Sequence, residues 1–204
     1  MTLGEMVAAV REELLEPSEG FWKDDEIKRW INRAAKDLAR AANIEVGPDT
    51  LPVVAGQESY PLPDDFSSMR RIEAYSLDGD LVAKLMPIQI DHRTAGKGTP
   101  RYYYVWKGLL HLDPIPDSDL NLVLWYHRAQ PDLVDDSDTP IIPEEFHELC
   151  VLFAVSQAKR KAGDPAYETY AIDYSNGRLD MIQKLKDMGQ KERQWVPVDD
   201  WEGW

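Results

Sequence analysis

The chain has 204 residues, 23 Lys and Arg against 37 Asp and Glu, and a formal net charge of −14. That length fits one elaborated domain or two packed ones, and a 43% hydrophobic share with seven Trp, nine Tyr and four Phe excludes global disorder. So acidic a surface repels phosphate, which argues against a DNA-gripping protein, and no run nears the ~18 apolar residues of a membrane span.

The opening stretch, MTLGEMVAAVREELLEP, carries charge throughout and lacks the apolar stretch of a signal peptide, so folding in a cytosol is expected. Cys150 is the single cysteine and rules out an intrachain disulfide; within the apolar run 146–155 it reads as a small buried hydrophobe.

The order of patterns is helices, strands, helices. Residues 2–16 and 24–43 read as helical. In the second, Asp24 is placed to cap, Asp25 and Glu26 suit the first turn, and Ile27, Trp30, Ile31, Ala34, Ala35, Leu38 and Ala42 trace one apolar face. Its five alanines suit close packing, and the run GPDTLP at 47–52 marks its end.

From 51 to 128 the period shortens. Leu51–Ala55, Met69–Leu77, Leu81–Met86, Arg101–Trp106, Leu109–Leu112 and Leu120–Arg128 form an antiparallel β module of about five or six strands. Asp78-Gly79 and Lys107-Gly108 supply hairpin turns. In the last strand Leu120, Leu122, Leu124 and Tyr126 alternate with Asn121, Val123, Trp125 and His127, so both faces carry apolar bulk, which predicts a central or doubly covered strand.

Residues 129–140 form an acidic loop with Asp132, Asp135, Asp136 and Asp138 and no basic residue. Pro143 then opens a helix whose buried stripe is Phe146, Leu149, Cys150 and Phe153, and Lys159, Arg160 and Lys161 sit where the dipole favours cations. GDPAYE signals a sharp helical hairpin, with Gly163 closing one helix, Asp164 capping the next and Pro165 opening it. The final helix carries Tyr167, Tyr170, Tyr174, Met181, Ile182 and Leu185, with Gly177 marking a kink or a close approach; its pattern fails from Met188, leaving a tail. The expected fold is therefore α+β. Residues 1–46 and 141–189 supply one helical domain, with the β domain 51–128 inserted, the acidic loop at 129–140 and a C-terminal tail at 190–204.

No catalytic constellation emerges. His147-Glu148 begins like a zinc-protease signature, but Val151 stands where the second His belongs, so both read as helix-surface residues. His92, His111 and His127 lack ligands at metal spacing. Gly96-Lys97-Gly98-Thr99 lacks the first glycine of a phosphate loop and reads as a flexible loop. The Asp cluster lacks the central Gly and closing Glu of a calcium loop and reads as solvated, with an acidic lining or a contact to a basic partner as its functional alternative. Asp64-Asp65 fall in the turn-forming YPLPDDF. No catalytic, cofactor or metal residue is assigned.

The segments SYPLPDDFSSMRRIEAYSLDG, GTPRYYYVWKGLLHLDPIPDSDLNLVLWYHRAQPDL and IPEEFHELCVLFAVSQAKRKAGDPAYETYAIDYSNGRLDMIQKL, with KRWINRAAKDLARA before them, resemble tailed-bacteriophage head–tail adaptors, over roughly residues 24–190. The shared plan is a Y-x-L-P-x-D-F turn, a hairpin, G-x-P-x-x-Y, L-x-L-D-P-x-P, a long strand, I-P-x-x-F/Y and a G-D-P helical hairpin. The resemblance implies a virion structural protein, made in the host bacterial cytoplasm. It implies a homo-oligomeric ring, twelve copies, beneath the portal. Such a ring extends the DNA channel, joins the filled head to a tail or neck protein and passes double-stranded DNA without specific binding. It implies no cofactor and no membrane. The alternatives are another virion accessory or tail-completion protein, or an enzyme whose site sequence does not reveal.

Three of the seven tryptophans, Trp195, Trp201 and Trp204, fall in the last ten residues beside Val196, Asp199, Asp200 and Glu202. Exposed Trp favours aggregation and buried Trp favours binding hot spots, so this segment is expected to anchor on the portal or a neighbouring subunit, with folding back over the chain's own core as the alternative. The acidic loop is expected at the channel or a partner, and Lys159, Arg160 and Lys161 at a subunit or partner contact.

Overall fold

Thr2 opens the first helix with a reciprocal cap: its Oγ1 accepts from the Glu5 N–H (3.3 Å) while Glu5 Oε2 accepts from the Thr2 N–H (2.8 Å). In the computed structural model, which describes residues 1–16, 18, 20–94 and 96–194, four α-helices follow. They are α1 (Leu3–Glu13), α2 (Asp24–Ala42), α3 (Glu148–Ala162), which a 3₁₀ turn at Glu144–Phe146 precedes, and α4 (Tyr167–Gln194). The chain divides into two units, Met1–Ala42 with the described residues from Gln130 on, and Asn43–Ala129.

The helical unit is built on the small, apolar faces the sequence supplies. Leu3, Met6 and Val10 of α1, Ile27, Ile31, Ala34, Ala35 and Leu38 of α2, and Cys150, Ala154 and Val155 of α3 are fully buried together with Met181 of α4. Burial pushes the Cys150 thiol up to about 12, the state of an inert core group. Arg11 organises the link between α1 and α2. Its side chain is 8% exposed; Nε donates to Asp24 Oδ1 (2.9 Å), Nη1 to the carbonyls of Glu16 (3.3 Å) and Ser18 (3.0 Å), and Nη2 to that of Trp22 (3.2 Å). Asp24 is thus the first helical residue, with its carboxylate on Arg11, where the sequence suggested a cap.

The hairpin between α3 and α4 follows its signature. Gly163 ends α3 at φ +74, Asp164 accepts from the Ala166 N–H (2.9 Å) and Lys159 reaches Asp164 (3.2 Å). Gly177 is a close-approach glycine, because a Cβ there would stand 2.3 Å from Leu149 Cδ2. The helix runs on to Gln194, past the expected stop at Met188, because Gln, Lys, Glu and Arg sustain a helical backbone after apolar periodicity ends.

Among the described residues the β unit holds nine strands where five or six were expected. They are β1 (Glu45–Val53), β2 (Ser59–Pro61), β3 (Phe66–Tyr75), β4 (Leu81–Pro87), β5 (Lys97–Gly98), β6 (Tyr102–Trp106), β7 (Leu109–Asp113), β8 (Ile115–Pro116) and β9 (Leu120–Arg128). Seven form one sheet in the order β1-β9-β3-β4-β6-β7-β2, antiparallel except where β4 meets β6, and β5 pairs with β8. The extra strands are short and Pro- or Gly-bearing, which hides them from alternation. The run GPDTLP lies in β1, since prolines are tolerated on an edge strand, with a bulge between Val46 and Asp49. Helix α2 ends earlier, at Asn43 with φ +50. The supposed phosphate-loop mimic is partly strand, as Lys97 pairs with Ile115. Lys107 (φ +50) and Gly108 (φ +76) make the expected hairpin turn. Strand β9 is interior and alternates as read: Leu120, Leu122, Leu124 and Tyr126 are buried with Ile72, Ala74 and Leu110, while Trp125 on the other face lies under Arg71 (3.8 Å).

Replacing Arg11 by Met removes the donor to three carbonyls and the ion pair with Asp24, so stability is expected to fall by about 3 kcal/mol. Urea unfolding of both proteins measures the difference.

Candidate functional site

Helix α2 spends each of its faces on a different neighbour. One face is core. Along its flank Lys28, Asn32 and Lys36, spaced four apart, hold the acidic segment that returns from the β unit. Asn32 Nδ2 donates to the Leu133 carbonyl (2.9 Å) and Asn32 Oδ1 accepts from the Leu133 N–H (2.7 Å), while Lys28 bonds Asp136 (2.7 Å) and Lys36 pairs with Asp132. The hydrogen bond to Asp136 raises the Lys28 pKa. Asp138 turns its carboxylate inward to the N–H groups of Val134 (2.7 Å) and Asp135 (2.9 Å), which hold it below its ordinary 3.8. The Asp136 and Asp138 carbonyls accept from Gly4 and Leu3 of α1. The loop read as solvated is therefore docked on two helices. Asp132 and Asp136 answer lysines of this same chain, and Asp135 offers only its backbone to the turn. The sequence could not show this, because Asn32 and Leu133 lie 101 residues apart.

On the open side of α2, Arg29, Arg33, Lys36 and Arg40 are exposed and line a cleft of about 870 Å³ with Asp37, Asp132 and Phe153. The Arg33 guanidinium lies 5.6 Å from the Phe153 ring. Asp37 is engaged from α4, accepting from the Tyr174 hydroxyl (2.7 Å) and Arg178 Nε (2.8 Å); burial first, and then that bond, push the Tyr174 phenol well above its ordinary value. Sequence reading named the apolar face of α2 and passed over this stripe, although its spacing of four, three and four residues is visible.

Of the basic cluster on α3, Lys159 is taken by Asp164 and by the ring of Tyr170 (5.5 Å), and Lys161 by Glu26 (2.6 Å) and the ring of Phe21 (5.2 Å), while Arg160 is exposed. Trp195, Val196, Trp201 and Trp204 lie outside the described residues. His147, read as a surface residue, is buried, with Nε2 donating to the Ile142 carbonyl (2.9 Å) and Nδ1 beside the Met1 backbone; Glu148 is exposed as expected. Among the described residues no group of His, Cys, Asp and Glu is arranged to hold a metal ion, and no helix is long and apolar enough to cross a membrane.

Replacing Asn32 by Ala strands both polar groups of Leu133 and is expected to cost about 2 kcal/mol, with Asn32→Asp intermediate, read by denaturant unfolding. Because the folded Asp138 pKa is depressed, its contribution is complete above pH 3.8 and is lost as pH falls below it. Asp138→Asn is therefore expected to flatten the acid limb of stability, followed by urea unfolding from about pH 6 to about pH 3.

No curated protein matches the sequence. The sequence profile of the SU10 adaptor protein family matches residues 1–199, nearly the whole chain. With its four-helix unit and inserted, mostly antiparallel sheet, this α+β chain belongs to the SU10 adaptor protein family, a family of phage adaptors.

Proposed function

We propose that the chain is the head–tail adaptor of a tailed phage and works as a ring of twelve copies docked beneath the portal, where it prolongs the DNA channel and receives the tail or neck. The observation that carries this reading is the family match over residues 1–199. It is a structural role with no reaction: the chain offers surfaces, and the conserved task of an adaptor is to hold two assemblies in line.

Two physical features support it. The net charge of −14 suits a wall along which DNA slides without being held. In the β unit, Leu81, Val82 and Met86 of β4 and Val105 and Trp106 of β6 are exposed, at 41% to 62% of their surface. Large apolar side chains left outside on both strands are available for contact with another protein. The C-terminal segment with Trp195, Val196, Trp201 and Trp204 is assigned to the portal or a neighbouring subunit. Asp135 on the acidic loop and Arg160 beside Lys159 and Lys161 are the members of their clusters left for contacts outside the chain.

Binding of the purified chain to isolated portal rings, imaged for symmetry, tests this reading. A twelvefold collar that disappears when residues 195–204 are removed is the expected result. Failure of the intact chain to bind any portal ring would exclude the neck position and favour another virion component.

A further inference from the structure

The basic stripe of α2 is out of character with the rest of the chain. Arg29, Arg33, Lys36 and Arg40 fall within about 60° of arc at 3.6 residues per turn, on a protein of net charge −14. Lys36 is taken by Asp132, and Asp37 is taken by Tyr174 and Arg178. Arg29 and Arg40 pair with no carboxylate among the described residues, and Arg33 stands over the Phe153 ring. The cleft of about 870 Å³ thus offers three available guanidinium groups around one aromatic floor.

The chain itself contains the complementary peptide. Asp199, Asp200 and Glu202 are three carboxylates placed around Trp201, and they lie beyond the last described helical residue, Gln194. We infer that the α2 cleft receives residues 199–202 of a second copy of this chain, with the carboxylates on Arg29, Arg33 and Arg40 and the Trp201 ring against Phe153 and the Arg33 plane. This rests on the ring reading and says what joins one copy to the next. Guanidinium groups suit both halves of the task, since they pair with carboxylates and stack on aromatic rings.

Reach separates a second copy from the chain's own tail. Arg178 contacts Asp37 beside the cleft, and α4 continues from there for 16 residues to Gln194, about 24 Å of rise. Helices α2 and α4 both run away from the α3–α4 turn, since Lys161 meets Glu26 at one level and Arg178 meets Asp37 further on. Arg33 therefore lies about 6 Å further back than Asp37, and Arg29 about 12 Å. Fully extended, the chain from Gln194 reaches back at most about 18 Å to Asp199, about 22 Å to Asp200 and about 29 Å to Glu202. The level of Arg29 lies about 36 Å back from Gln194, so the chain's own three carboxylates cannot lie along the whole stripe, and a second copy's tail is not held to that distance. Duplex DNA is the poorer occupant, because a chain of net charge −14 repels a long polyanion over its whole length, whereas a short peptide meets only the cleft.

The decisive titration uses a fluorescein-labelled peptide of residues 195–204 and the full chain carrying Asp199→Lys, Asp200→Lys and Glu202→Lys, whose own tail cannot compete. Saturable binding is expected, weakened about tenfold or more when Arg29→Glu, Arg33→Glu and Arg40→Glu are added. Thermal unfolding checks that these exposed substitutions leave the fold intact. Equal binding by the two proteins overturns the inference. So does binding of a labelled mixed-sequence DNA duplex through the same arginines in place of the peptide.

A second arm uses portal rings. The cleft reversal in an otherwise unaltered chain is expected to abolish ring assembly, and combining it with the tail reversal in one chain is expected to restore it. Rings formed as readily by the cleft-reversed chain as by the unaltered one overturn the inference and leave the adaptor role standing. If the unaltered chain forms no ring at all, it is the adaptor role that fails, and the peptide titration still decides the cleft.

Discussion

A pair of hydrogen bonds between Asn32 and the backbone of Leu133 closes the helical unit, and much else depends on it. The unit is assembled from two stretches of chain with the whole of residues 43–129 between them. A chain that leaves at Ala42 must return to the same bundle at Gln130, and the returning segment has no regular structure to satisfy its own polar groups. Asn32 gives Leu133 what a neighbouring strand would have given, one donor and one acceptor, so the leucine side chain enters the core without stranding its backbone. Gln130 repeats the device: its Oε1 accepts from the Ile141 N–H (2.8 Å) and its Nε2 donates to the Pro131 carbonyl (2.8 Å). Two amide side chains hold what secondary structure cannot.

The same economy explains the charge on α2. Its lysines at 28 and 36 are consumed internally by Asp136 and Asp132, so they hold down a segment that would otherwise repel itself. The arginines one quarter-turn away have no such internal use. A helix in a −14 chain that keeps exposed arginines beside paired lysines separates its structural cations from its available ones. The choice of residue agrees with this division, since the point charge of Lys serves a loop contact and the planar fork of Arg serves recognition.

The fold class, the four helices, the GDPAYE hairpin and both tight β turns were legible because each is written within a few residues: a cap, a proline, a glycine, an alternation. What stayed hidden had one of two causes. Strands β2, β5 and β8 are two or three residues long, too short to show a period, and β1 carries prolines that only an edge position tolerates. The burial of His147 and the docking of Asp132 and Asp136 depend on partners roughly a hundred residues or more away, which no local pattern encodes. The candidate cleft falls between these cases. Its cations are visible at helical spacing, but that Asp37 is claimed by α4 and Phe153 forms the floor is a fact of packing alone.

The burial of Cys150 has a practical consequence. A lone thiol that is fully enclosed, and that burial pushes up to about 12, is almost entirely unionised in neutral solution and out of reach of maleimides and nitroxide reagents. A cysteine introduced anywhere on the surface is then the single addressable label on the chain. Distances between copies in an assembly, or between an adaptor and whatever it touches, become measurable by spectroscopy on an otherwise native molecule.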